Sequence, residues 1–262
     1  MTDPGNELAS IPREAADTAT ELTEAPRPRE RRKRVVALAR KLAVSGAGAA
    51  GRGSRAAQRA ARTGVGWLAG QVLEMAPRLK VRNQAELQAQ FPEKSPEEIA
   101  DALIDGAARA SATAGAAAGA WAVIPVVTAF PAEVAAETLV VVGIEIKLIA
   151  ELHEAFGRPA EGSSAERMRA YVAAWAHRRG VSTIPGGVVF AAGSPLAQLL
   201  RRRLAARAGR STFSLAPLLT GAAAGAIING RETRKLGREI SRDLRRHAIS
   251  GPVPPPGPGS AD

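Results

Sequence analysis

"PAEVAAETLVVVGIEIKLIAELHEAFG", Pro131–Gly157, decides the fold. Proline fits the first turn of a helix, glycine its C-terminal exit, and Pro159 just beyond stops continuation. Between them the residues are strongly apolar, with no strand alternation, so the stretch predicts one long helix from Pro131 to Phe156. At about 100° per residue, Glu133, Glu137, Lys147, Glu151 and Glu154 fall within an arc of roughly 100°, and Glu145 lies apart. Lys147 and Glu151 stand at i,i+4 and can pair. This polar stripe has three readings. It faces water, it meets arginines of another helix, or it lines a proton or ion path. The last would require carboxylates in a low-dielectric site.

Outward from this helix the punctuation is also helical. Ser95-Pro96-Glu97-Glu98 is a capping box with proline at the first helical position, predicting a helix to about Ala122. Ser163 with Glu166 makes a second box, and the helix after it puts Met168, Tyr171, Val172 and Trp175 on one face. Ser194-Pro195 predicts a short arginine-rich helix ending at Gly209, and Ala57–Leu79 also reads as helical. A long last helix starts near Ser214 and carries Leu236, Ile240 and Leu244 on one stripe. The fold class is therefore all-α: a helical bundle with Gly/Ala-rich apolar helices and disordered termini. The organisation reads as a disordered tail over 1–34 that ends in the basic run "RPRERRKR", Arg27–Arg34. A basic helical or linker region follows over 35–94, then a helical domain over 95–248 and a proline-rich tail over 249–262.

The 262 residues include no cysteine, which excludes disulfides, thiolate nucleophiles and cysteine-based metal sites. Apolar residues make up 45%, enough for one sizeable core, although aromatics are only 3%. The net charge of +11 favours anionic partners, and the same arginine- and alanine-rich usage also follows from GC-rich coding. Residues Met1–Ala25 are polar and acidic and do not read as a cleavable signal, so the chain is expected on the cytoplasmic side.

Motifs for chemistry are missing. "GAGAAG", Gly46–Gly51, matches GxGxxG but follows an arginine-dotted helical pattern, not a strand, and reads as a linker. His153, His177 and His247 have no paired spacing, and Glu151 and His153 point about 200° apart, so no metal site is expected. No nucleophile elbow or triad can be assembled. The sequence thus predicts no catalytic residue and no cofactor.

"GAAAGA" occurs twice, at Gly115–Ala120 and Gly221–Ala226. Spacing of four places Gly115 with Gly119, and Gly221 with Gly225, on single helix faces where two backbones can approach closely. Both copies lie in charge-free runs, Ala110–Ala132 and Ser211–Gly230; a third run is Val181–Leu200. Each is long enough to span a bilayer. Prolines interrupt each run, and arginines flank both sides of the second and third, against the positive-inside rule. Helices lying against or dipping into the inner leaflet fit this pattern, and so does a soluble core.

"TAGAAAGAWAVIP", "FPAEVAAETL", "EIKLIAELHEAFG" and "LLTGAAAGAIINGRETRKLG", with Asn229, Thr233 and Leu236-Gly237 in the last, make the chain similar to the EcsC family of bacterial helical proteins. The similarity covers roughly Ser95 to His247, while the block Arg201–Arg210 departs from it. The resemblance implies an all-α, membrane-associated protein and supplies no catalytic residues.

The expected function is a non-enzymatic helical protein on the cytoplasmic face of the membrane, held by anionic lipid. Its basic contacts would be Arg27–Arg34, Arg201–Arg210 (with Arg201, Arg202 and Arg203) and Arg231–Arg246 (with Arg234, Lys235 and Arg238). That last segment carries Arg231, Arg234, Lys235, Arg238, Arg242, Arg245 and Arg246 against Glu232, Glu239 and Asp243. Beside Leu236, Ile240 and Leu244 it reads either as a surface-seeking amphipathic helix or as a solvated outer face of the bundle. The alternatives are a soluble bundle that binds nucleic acid and an accessory partner of a membrane transporter or peptidase. Sparse aromatics count against stacking on single strands. Glu133 and Glu137 are expected near Asn229, Thr233 and Arg234, aligning the helices without chemistry.

Overall fold

The computed structural model describes residues 4–24, 33–38, 67–119, 130–179 and 219–249. Among these residues there is helix and no strand, so the fold is all-α. The helices are α1 (Pro4–Glu24), α2 (33–38), α3 (67–75, continuing into a 3-10 turn at Ala76–Arg78), α4 (Gln84–Gln90), α5 (Pro96–Gly119), α6 (Phe130–Ala155), α7 (Ser164–Arg178) and α8 (Leu219–Ile249).

Local chemistry sets the helix ends. Asn83, Ser95 and Ser163 each accept from the backbone N–H three residues on, while Glu86, Glu98 and Glu166 return the bond to the cap N–H. Gly157 ends α6 at φ +65°. Its N–H donates to Glu154 O at 2.9 Å and that of Arg158 to His153 O at 2.8 Å, a Schellman motif.

α6 is the centre of the bundle. Its 26 residues span about 39 Å, and it packs on α1, α4, α5, α7 and α8. From Ala136 to Leu152 every residue of α6 is buried, so no face of this stretch meets water and the solvated reading of its polar stripe is corrected. A helix that is apolar all round is an interior helix.

α5 and α8 lie antiparallel and share the most extensive contact. Their seam is made by small residues. A Cβ on Gly115 would sit 2.5 Å from Gly225 O, one on Gly230 3.2 Å from Ala108 O, and one on Gly237 2.7 Å from Ile104 Cγ1. Gly115 and Gly225 thus meet across the seam. Gly119 closes α5 and Gly221 lies in the first turn of α8; what surrounds them is outside the described residues.

The region 1–34, expected as a tail, is instead helical over Pro4–Glu24, and Ile11, Ala15, Ala16, Ala19 and Leu22 are fully buried. A Cβ on Gly143 of α6 would lie 2.8 Å from Ala19 Cβ, so α1 reaches the central helix by its smallest side chains. Leu68, Val72, Met75, Leu79 and Leu87 of the 35–94 region join the same core, which runs on without a break into 95–248. The arginine-rich helix expected after Ser194, the run Val181–Leu200 and residues 250–262 lie outside the described residues. No described helix is long and apolar enough to cross a membrane.

Candidate functional site

Two polar constellations stand out, one inside the bundle and one on its surface. Inside, α6 sends its charges in different directions. Lys147 is fully buried, and its ammonium has three acceptors for its three protons. They are Glu151 Oε1 at 2.5 Å, Lys80 O at 2.5 Å and Glu24 Oε1 at 3.1 Å. Arg82 grips Glu151 with a fork, Nε to Oε1 and Nη2 to Oε2, both at 2.7 Å, and its own N–H adds a third bond at 3.2 Å. Burial opposes charge on Arg82, but the hydrogen bonds and negative charge of Glu151 outweigh it and raise its pKa. With Lys147 and Arg82 set against Glu151 and Glu24, the cluster is neutral.

Glu145, which lies apart on the helical wheel, is fully buried at a second centre. Trp175 Nε1 donates to its Oε2 at 2.7 Å, Arg179 pairs with its Oε1, and Thr233 Oγ1 stands 3.2 Å from that oxygen and 2.9 Å from Ser111 Oγ. Arg179 also reaches Glu232 at 3.0 Å. Glu137 is buried and accepts from Asn229 Nδ2 at 2.7 Å. The absent side chain of Gly115 makes room for this bond, since a Cβ there would fall 2.8 Å from Asn229 Nδ2. Arg234 does not join it. Arg234 turns outward to Asp105, 3.0 Å away, because its place on α8 lies well away from Asn229 and Thr233. The side chain of Glu133 lies outside the described residues.

The charged groups of α6 are held by partners within the bundle. Lys147, Glu151 and Glu145 are satisfied by fixed partners, and among the described residues no cluster of His, Asp and Glu could hold a metal ion. His153 is also satisfied, with Nδ1 donating to Arg158 O at 2.9 Å beside the Tyr171 ring. Burial pulls its pKa below the ordinary value, only partly opposed by that bond and by Glu154.

The surface constellation is on α8. Its apolar stripe, Leu236, Ile240 and Leu244, is buried in the bundle, so the reading of that stripe as a free membrane-seeking face is corrected. Its outer face is cationic. Arg234 and Arg245 pair with Asp105 and Asp101 of α5, and Arg246 with Asp243, which Arg178 also holds. Arg231, Lys235, Arg238 and Arg242 are exposed, and no described carboxylate lies within ion-pair distance of any of them. At 100° and 1.5 Å per residue these four fall within about 60° of arc and along about 17 Å. Glu232 and Asp243 pair with Arg179 and Arg178 at the end of α7, and Glu239 falls on the same arc of α8. Of the contacts expected from sequence, Lys235 and Arg238 are in this row, Arg234 flanks it, and Arg201, Arg202 and Arg203 lie outside the described residues.

No protein-family model, no curated protein and no solved structure matches the chain, so the EcsC-like resemblance rests on the quoted motifs alone.

Proposed function

We propose that the chain is a non-enzymatic helical protein that docks on the anionic, cytoplasmic face of a membrane through the outer face of α8. The observation that carries this reading is the row Arg231, Lys235, Arg238 and Arg242, exposed and without a described carboxylate partner. Unpaired cations aligned on a rigid helix project a field that an anionic surface meets in one orientation. Because the apolar stripe of α8 is already used in the core, the attraction is mainly electrostatic. Each near-surface cation contributes about 1 kcal/mol, so four contribute about 4 kcal/mol.

Co-sedimentation with vesicles tests it. Binding to mixed phosphatidylglycerol and phosphatidylcholine vesicles is expected at low salt. It should weaken as the screening length falls from about 10 Å at 0.1 M to about 3 Å at 1 M. Changing Arg231, Lys235, Arg238 and Arg242 to Gln together should lower it by roughly three orders of magnitude. Equal binding to pure phosphatidylcholine refutes the reading. Tight, salt-sensitive binding to duplex DNA with none to vesicles replaces it with nucleic-acid binding.

A further inference from the structure

The cation row of α8 does not stop in empty surface. Four residues before Arg231 on the same face is Ile227, half exposed and the one large hydrophobic exposed among the described residues. On the wheel, Ile227, Arg231, Lys235, Arg238 and Arg242 fall within about 80°. The sequence around them changes sharply at the same place. Leu219–Gly230 carries no charge, whereas Arg231–Arg246 carries seven basic residues.

The neighbours of α8 share this polarity. Antiparallel packing sets Gly115 of α5 against Gly225, so the uncharged last turns of α5, Ala110–Gly119, lie beside the uncharged start of α8. Glu137 of α6, at the same level, is buried and bonded to Asn229. At the other end Asp101 meets Arg245, and Arg178 and Arg246 meet Asp243. One end of the α5–α8 pair is therefore charge-poor and the other charge-dense.

We infer that this face is built for a lipid bilayer and sets the tilt of the bundle on it. Ile227 leads the uncharged end of α8 into the interfacial layer, and the cation row behind it lies over the anionic headgroups. The inference rests on the docking reading above and adds a depth and a direction. An exposed isoleucine in line with the cations gains free energy at the headgroup–acyl boundary, where apolar side chains of interfacial helices reside. A sugar–phosphate backbone offers it no comparable apolar phase.

The chain contains no cysteine, so Ile227→Cys and Arg242→Cys each give a single site for an environment-sensitive fluorophore. On phosphatidylglycerol–phosphatidylcholine vesicles the probe at 227 should shift to the blue and be quenched by bilayer-embedded nitroxide lipids at least twice as strongly as the probe at 242. Ile227→Ser, at an exposed position that leaves the core intact, should weaken vesicle binding about three- to tenfold. The deficit should persist at high salt. Equal quenching at both sites, or unchanged binding of Ile227→Ser, overturns the inference. If the four-glutamine variant of the cation row still loses vesicle binding in that case, docking stands and only the tilt falls. If the four-glutamine variant binds normally, the docking reading itself falls.

Discussion

Gly115→Ala adds a single methyl group, and the structure says where it goes. The new Cβ would lie 2.5 Å from Gly225 O, 2.7 Å from Gly225 C and 2.8 Å from Asn229 Nδ2. Two of these three atoms are backbone of α8 and cannot rotate aside. A carbon–oxygen contact needs more than about 3 Å, so the helices must part by several tenths of an ångström or more. Parting them strains the Thr233–Ser111 bond, 2.9 Å, across the same seam, and a shift of α8 also disturbs its Asn229–Glu137 bond to α6, 2.7 Å. Overpacking costs about 1–3 kcal/mol and a weakened buried bond about 1–3 kcal/mol. The better helix propensity of alanine returns about 1 kcal/mol. The net loss is about 3 kcal/mol, or roughly 6–12 °C in melting temperature for a chain of this size. Gly106 is the internal control. It lies in the same helix, and nothing comes within 4 Å of the Cβ it would gain, so Gly106→Ala should be neutral or stabilising by up to about 1 kcal/mol. Urea unfolding followed by circular dichroism compares the two. If Gly115→Ala is as stable as Gly106→Ala, the close approach of α5 and α8 is wrong.

Glu151→Gln should cost about 3–5 kcal/mol in the same assay, since it leaves the fully buried Lys147 and the half-buried Arg82 without their shared carboxylate. Glu24→Gln, at a position whose side chain still meets water, should cost under about 1 kcal/mol. A double-mutant cycle on Glu137→Ala and Asn229→Ala should give a coupling of about 0.5–3 kcal/mol. The cycle on Glu137→Gln and Arg234→Gln should be additive within about 0.5 kcal/mol, because Arg234 is bound to Asp105. The depressed pKa of His153 makes the neutral ring the folded form. Its contribution is present above the unfolded value near 6.5 and is lost as pH falls toward the lower folded value. Unfolding measured from pH 7.5 to 5 should therefore show a shallower acid-side decline for His153→Gln than for the parent chain, and identical slopes would contradict this.

How much of this was legible depended on whether the signal was local. The boxes at Ser95 and Ser163 and the stop at Gly157 need only a few consecutive residues, and the structure has them where the sequence puts them. Helix α1 is not expected from the sequence because its segment is polar on average and Pro12 stands inside it, although Ile11, Ala15, Ala16, Ala19 and Leu22 do share one side of the helix. The pairing of Arg82 with Glu151 joins residues 69 apart, and nothing in either neighbourhood announces it. Glu145 lies off the stripe on the helical wheel, yet it is as buried as the stripe is. With Leu139–Val142, Ile144, Ile146, Leu148 and Ile149 distributed all round the helix, a charge on any face of this stretch is an interior charge. The cation row on α8 was readable on a helical wheel, whereas the partners that remove Arg234 and Arg245 from it were not.

The interior charges of α6 make most sense as a code for alignment. Together they address several neighbours: Glu137 meets α8, Glu145 meets α7 and α8, Lys147 meets the end of α1, and Glu151 meets the segment before α4. Apolar contacts between small residues are permissive. Alanine and glycine faces slide and rotate past one another at little cost, and this chain is rich in both. A rotation of α6 by one residue, about 100°, would keep its leucines and valines buried but carry four charged groups away from their partners. An unpaired buried charge costs several kcal/mol, comparable with the whole stability of a domain. The small-residue seams let the helices come close, and the polar contacts admit one arrangement of them. That arrangement turns the buried stripe of α8 inward and leaves Arg231, Lys235, Arg238 and Arg242 on the outside. The same reasoning predicts that replacing Glu145 and Arg179 together with apolar residues would strand no charge, would cost about 1–3 kcal/mol for the lost Trp175–Glu145 bond, and would loosen the bundle. Faster amide exchange in α7 and α8 would reveal it. Exchange unchanged from the parent would mean that packing alone fixes the helices.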